Sequence, residues 1–380
     1  MPATLSATPQ RTVISLLVVV QLLLSCSTAQ QTPEPASVAP VTSAPIQSAG
    51  ETQPPASGSP AAQPTPPPPS PAPPSPSPSP SPTEFNGSEW ARDGRLNVVL
   101  FGSDEGPGRW SLRTDATFLL SVDVETARAA LFGFPRYMSN IPLPPESAQH
   151  YPDGRLPRYL NAIYREAQDR PKRFPGNDEL GLKVVADAVG ELAGVDVDHY
   201  VVVNLNGFVD LVDALGGLWI DVPERVYDAR YAREDGVRKI RIDIKPGCQL
   251  LDGRHALAYA RSRHQDGDYA RLGRELITLA AMRRQYDPLA MLPRLPQLFD
   301  IAGKNFSWTL VDEDVRSIAQ LAVRVDVDRM HQVLFIPPEY RRTLPGDTVE
   351  RIRAKVGGIF DEPEPTPSPG ADQEPCPPPE

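Results

Sequence analysis

Four arginines crowd the stretch Leu257 to Glu275, LAYARSRHQDGDYARLGRE: Arg261, Arg263, Arg271 and Arg274, with His264, Asp266 and Asp268 between them. The first pair is spaced i,i+2, so both side chains share a face if the backbone there is extended. The second pair is spaced i,i+3 and shares a face of a helix starting near Asp268, whose carboxylate can cap that helix. On it, Leu272, Leu276, Ile277 and Leu279 gather on a different side, so the helix does not force its arginines into the core. Four guanidinium groups converging from a strand end and a helix start repel one another unless an anion sits between them. Their planar forks suit phosphate oxygens. The plain alternative is a solvated ion-pair network with Asp266, Asp268 and Glu275.

Two carboxylates extend the pattern. Asp104 follows the run LNVVLFG and Asp115 precedes ATFLLSVDV, with Arg113 beside it. If these runs are neighbouring strands, both carboxylates meet at one sheet edge. A pair with open positions suits Mg²⁺ or Mn²⁺, a hard ion that takes oxygen ligands and borrows others from phosphates. Aspartates in loops are otherwise turn formers and caps. Arg136, directly after Pro135, ends a third strand on what could be the same rim, or is an exposed strand-end charge. Arg158 is equally ambiguous, and Asn161 reads as a cap or turn residue. There is no nucleophile elbow, P-loop or zinc-helix motif. His199 and His255 lack a Ser or Cys partner for triad chemistry.

The elements that must position these groups are strands and helices in mixture. Leu96–Gly102, Ala116–Val124, Ala129–Phe134, His199–Leu205 and Leu218–Val222 read as strands. Lys239–Ile244 alternates as a half-exposed edge strand would, and His331–Ile336 closes the series. Helices fit Asn161–Asp169, Asp178–Ala193 and Gly207–Leu215, much of Gly253–Ala302, and Asp312–Val325. The stretch between Arg136 and Leu160 reads as irregular. The expected class is α/β or α+β around one mixed central sheet. The apolar helix faces at Leu182, Val185, Val189, Phe208, Val212 and Leu215 are candidate lipid contacts, with ordinary core packing as the alternative.

Of 380 residues, 46 are proline, and the net charge is -10. Nineteen prolines fall between Gln31 and Thr83, with only Glu34 and Glu51 charged. That segment cannot bury a core and reads as a semi-extended linker. The domain scheme is therefore an export or anchor segment over 1–26, a linker over 27–85, a catalytic domain over 86–360 and a Pro/Glu-rich tail over 361–380. At the N-terminus, Arg11 precedes an apolar run from Thr12 to Leu24 and then Ser25-Cys26. The run is too short to span a bilayer but fits a secretory h-region. The small residue before Cys26 resembles a lipoprotein processing site, although Leu24 is unusual there. The chain reads as exported. Cys248 and Cys376 are permitted to pair outside the cytoplasm, but the tail position of Cys376 speaks against it. The acidic balance and the absence of a basic stripe argue against a nucleic-acid partner.

The order GSDE, RTD, FPR, NAIY, VDHYVVVNLNGFVDLVDALGGLWIDVPE and KPGCQLLDGRHALAYARSRHQDGDYARLGRE, from Leu96 to Arg284, resembles the LytR–CpsA–Psr family of bacterial cell-wall ligases. The resemblance implies an α/β/α fold whose apolar interior takes a polyprenyl chain. It implies transfer of an anionic glycopolymer from a polyprenyl-pyrophosphate carrier to peptidoglycan, with a phosphodiester formed, on the outer face of the cell membrane. By position, Asp104 and Asp115 match the family's Mg²⁺ carboxylates. Arg113, Arg136, Arg261, Arg263 and Arg271 match its site arginines, and Arg274 stands where its Arg-Gln pair begins. Three positions depart from the pattern. Tyr137 replaces an aspartate, and Glu275 replaces a glutamine and would have to pair with Arg271 to spare a phosphate. Arg158 lies one residue out of place. A pyrophosphatase releasing lipid phosphate to water and a non-catalytic binder of lipid-linked polymer remain the alternatives.

Overall fold

The computed structural model describes residues 93–105, 113–175, 181–285, 294–310, 312–366 and 376. β1 (Arg95–Ser103), β2 (Thr114–Asp123) and β3 (Ala129–Gly133) form an antiparallel meander. The hairpin β4 (Ser139–Pro142) and β5 (Arg155–Tyr159) follows, then α1 (Ile163–Asp169) and α2 (Lys183–Ala193). Gly194, in the left-handed region at φ +75°, ends α2. The chain returns through β6 (His199–Val203) to α3 (Leu205–Ala214), whose cap Asn204 accepts from the Gly207 N–H at 2.8 Å. Two ribbons come next, β7 (Leu218–Val222) with β10 (Gly247–Leu251) and β8 (Val226–Ala232) with β9 (Lys239–Ile244). The helices α4 (Gly253–Arg261), α5 (Asp268–Gln285) and α6 (Leu295–Asn305) precede β11 (Phe306–Trp308), α7 (Asp312–Arg324), β12 (His331–Leu334) and α8 (Gly346–Gly357).

The central sheet is mixed, in the order β11-β6-β1-β2-β3-β12, with β1–β6 and β3–β12 parallel. Side chains alternate across it. One face sends Val99, Leu119, Phe132, Tyr200 and Val202 into a close-packed core with α2 and α8. The other face presents Leu100, Phe118, Leu120, Leu131, Val201 and Val203 to a cavity of about 260 Å³, roofed by α3, α4 and α5. Beyond that roof, β7, β8, β9 and α6 build a second core around Val212, Leu218 and Tyr259. α3 and α4 approach closely at Gly253, where a Cβ would stand 2.2 Å from the Val209 carbonyl oxygen. Glycine there holds the roof together.

Several sequence expectations need correction. The "irregular" stretch after β3 contains β4 and β5, and β8, β10 and α8 are elements the sequence reading did not name. Lys239–Ile244 is the half-exposed edge strand expected, and it pairs with β8 in a two-stranded ribbon outside the main sheet. The helix expected from Asp178 begins, among the described residues, at Lys183. Cys248 and Cys376 are joined by a disulfide, with Cα atoms 5.3 Å apart, because the tail is brought back to β10. The segment 1–26, the linker 27–85 and most of the tail lie outside the described residues. No helix among the described residues is long and apolar enough to cross a membrane.

Candidate functional site

At the end of β1 the register against β2 slips. Gly102 faces Ala116 but Ser103 faces Thr114, leaving Asp115 unmatched. This β-bulge turns the Asp115 side chain toward the cavity, where Asp104 arrives from the end of β1. The Asp104 N–H donates to the Arg113 carbonyl at 3.1 Å, and the Arg113 N–H returns to Asp104 Oδ1 at 2.7 Å, so the strand pair stays closed beyond the bulge. Both predicted metal carboxylates thus sit at one mouth.

The arginines reach that mouth from three directions. Arg136, buried after β3, pairs with Asp115 Oδ2 at 2.7 Å and with Asp268 Oδ1 at 2.9 Å. Arg271, on the first turn of α5, donates to Asp268 Oδ1 at 3.1 Å, to the Asp115 carbonyl at 3.0 Å and to Glu275 Oε1. Arg261 closes α4 and donates to the Tyr231 hydroxyl at 3.0 Å. Arg263, two residues on and exposed, donates to the Tyr137 hydroxyl at 2.8 Å, as does Arg136. The condition of an extended backbone at Arg261–Arg263 is met only in part, since Arg261 is the last helical residue and the chain becomes extended at Ser262. Asp268 is not a cap either; it opens α5 and bridges two guanidinium groups. The arginine face of α5 was expected to avoid its leucines. Instead Arg271, Glu275, Leu276 and Leu279 all line the cavity, charged at the helix start and apolar beyond.

The electrostatics follow from this crowding. Burial alone would raise the Asp115 pKa, but the charge of Arg136, a 3.1 Å hydrogen bond from Asn161 and the charge of Arg271 together hold it below the ordinary value. Asp115 is therefore ionised at neutral pH, as a hard-cation ligand must be. Each of its oxygens keeps a lone pair beyond the bonds it accepts, so the residues present fit a divalent ion shared with a phosphate. Glu275 goes the other way. Its burial outweighs the attraction of Arg271 and, with Asp268 and Asp115 nearby, pushes it up to about 8.

Comparison with known proteins fits this site. Residues 74–338 match the LytR_cpsA_psr family. The chain belongs to that family. Among its relatives are an uncharacterized protein of Staphylococcus aureus, 34% identical over 37% of this chain and 34% of the relative. Another is the polyisoprenyl-teichoic acid–peptidoglycan teichoic acid transferase TagU of Halalkalibacterium halodurans, 28% identical over 46% of this chain and 57% of that one. The matches thus span 34% to 57% of these relatives' lengths. The crystal structure of protein gbs0355 from Streptococcus agalactiae superposes with a TM-score of 0.54 at 18% identity, over 73% of this chain and 92% of that one, which supports the fold.

Within this LytR_cpsA_psr domain, not every predicted residue reaches the mouth. Arg136, Arg261, Arg263, Arg271, Asp104 and Asp115 line the cavity; Arg113 and Arg274 do not. Arg113 is exposed beside Asp104. Arg274 is buried and donates to the carbonyls of Tyr259 and Ser262 and to Asp266, which pins the loop carrying Arg263. Asp228 of β8 ties the same loop down, accepting from Ser262 at 3.2 Å and meeting His264 Nδ1 at 2.7 Å. Arg158 pairs with Glu166 at 3.3 Å away from the cavity. Of the six lipid-contact candidates, only Phe208 lines the cavity. Leu182, Val185 and Val189 pack in the core across the sheet, and Val212 and Leu215 in the core beyond the roof. Helical period marks a buried face without saying what it is buried against. The ion-pair network expected for Asp266, Asp268 and Glu275 with the arginines exists, but its arginines are buried and not solvated. Sequence reading missed only Asn161 as a partner of the cluster, because its position beside Asp115 gave no distinct signal.

Proposed function

We propose that the chain is a phosphotransferase on the outer face of the cell membrane that moves an anionic glycopolymer from a polyprenyl-pyrophosphate carrier to peptidoglycan. One observation carries the reading: an apolar cavity under the sheet opens onto a mouth lined by Arg136, Arg261, Arg263, Arg271, Asp104 and Asp115. A diphosphate with a hydrocarbon tail matches both halves, guanidinium forks taking its oxygens and the apolar walls its chain. The activity named for the TagU relative points the same way, and the Cys248–Cys376 disulfide fits an oxidising compartment. We assign membrane attachment to the N-terminal segment.

Asp104 and Asp115 would hold Mg²⁺ or Mn²⁺, which when bound supplies positive charge to neutralise the diphosphate. The chain's own part is positional. Arg136 and Arg271, fixed by Asp115, Asp268 and Glu275, cannot swing to solvent, so their remaining donors are preorganised for charge that grows on the phosphate oxygens. The acceptor hydroxyl oxygen bonds to the phosphorus that bears the polymer. The P–O–P bridge opens, lipid monophosphate leaves, and the hydroxyl proton passes to a carboxylate at the mouth, Asp104 or Asp115. Arg263→Ala tests the reading. Arg263 is exposed and linked through one hydroxyl, so the variant should melt like the parent while transfer of polymer to peptidoglycan fragments falls about 100-fold or more. A fully active variant refutes the role. Release of lipid monophosphate in the absence of any acceptor would identify a hydrolase instead.

A further inference from the structure

Three carboxyl groups share two guanidinium groups under the cavity mouth. Asp268 Oδ1 meets both Arg136 and Arg271. Asp115 holds Arg136 and the amide of Asn161. Glu275, 7% exposed, has only Arg271 on Oε1, and its Oε2 is buried without a partner. In the metal-free protein, three negative charges against two positive ones, out of water, leave one carboxylate uncompensated, and such a group takes up a proton. The least compensated of the three is Glu275, and it lines the cavity where Asp268 does not. The charged groups around it are Arg271 and Asp268 of α5, Asp115 of β2, and Arg136 after β3. Farther along the mouth stand Arg261, Arg263 and Asp104.

We propose that Glu275 is a phosphate-binding donor: it stands in the resting protein as a carboxylic acid, and its Oε2–H hydrogen-bonds an oxygen of the bound diphosphate. This rests on the diphosphate-lipid reading of the cavity. The lowered Asp115 and the raised Glu275 carboxyls agree with it. An ionised Glu275 would instead repel the ligand, so binding is lost as the proton leaves. Glutamine offers an N–H donor in the same place and never ionises.

Two measurements test this on the purified full chain. The first follows the Glu275 side-chain carbon by ¹³C NMR without ligand, assigned by its loss in Glu275→Gln. A carboxyl still protonated at pH 7 is expected, and an ionised one overturns the proposal whatever the ligand. The second measures farnesyl diphosphate affinity at pH 7 and pH 9. The Kd of the parent should rise about tenfold over that interval, while that of Glu275→Gln stays within about twofold, any titration of the probe itself being common to both. Parallel profiles overturn the donation. If neither protein binds the probe at any pH, the diphosphate-lipid reading falls and the donation with it, while the NMR titration still reports the proton on Glu275.

Discussion

At the scale of single residues, the site is built from mutual constraint among charges. Arg136 has its guanidinium divided among Asp115, Asp268 and the Tyr137 hydroxyl, and its plane lies over the Tyr137 ring at 4.5 Å. Tyr137, where the family pattern has aspartate, thus replaces a charge with a hydroxyl that takes donors from both Arg136 and Arg263. Glu275 has a consequence for stability as well as binding. Its folded carboxyl is raised from 4.5 to about 8, so between those values the folded state holds a proton that the unfolded chain has lost. Stability should therefore fall as pH rises from about 4.5 to 8, by at most about 1.4 kcal/mol per pH unit, and level off above. Glu275→Gln should flatten that slope in melting curves taken at several pH values; an unchanged slope would assign it to other groups. The sequence exposed the i,i+4 pair of Arg271 and Glu275, but burial, which sets the proton, is a property of what lies on every side.

At the scale of elements, one helix and one bulge do most of the positioning. α5 carries charge at its first two turns and leucine and methionine farther on, so a single helix face serves both the mouth and the apolar interior. The unmatched Asp115 in β2 is a register event with no sequence signature: RTDATF alternates no differently from an unbulged strand. The cavity itself comes from strand faces that alternate between a filled core and an unfilled space. Val201, nearly buried on β6, points into that space. Val201→Phe should fill part of it at little cost, keeping the melting temperature within a few degrees while weakening farnesyl diphosphate binding about tenfold or more. Binding equal to the parent would show that the tail lies elsewhere.

At the scale of the whole molecule, the tail is stitched to the domain. The disulfide joins Cys248 of β10 to Cys376 across 128 residues of chain. Cys376→Ser should lower unfolding free energy by about 2–4 kcal/mol in denaturant titrations, and a variant as stable as the oxidised parent would argue that the bridge does not constrain the unfolded chain. The sequence by itself determined that strands and helices mix around one sheet and that arginines and aspartates crowd a few short stretches of the chain. These follow from local periodicity, residue type and composition, all of which act over a few neighbours. Only the tertiary structure decided that Arg274 braces a loop, that Asn161 belongs to the charged cluster, and that Phe208 alone among the suspected lipid contacts borders the cavity. Those outcomes depend on which surfaces meet across the sheet, and helical or strand period records only that a face is hidden from water.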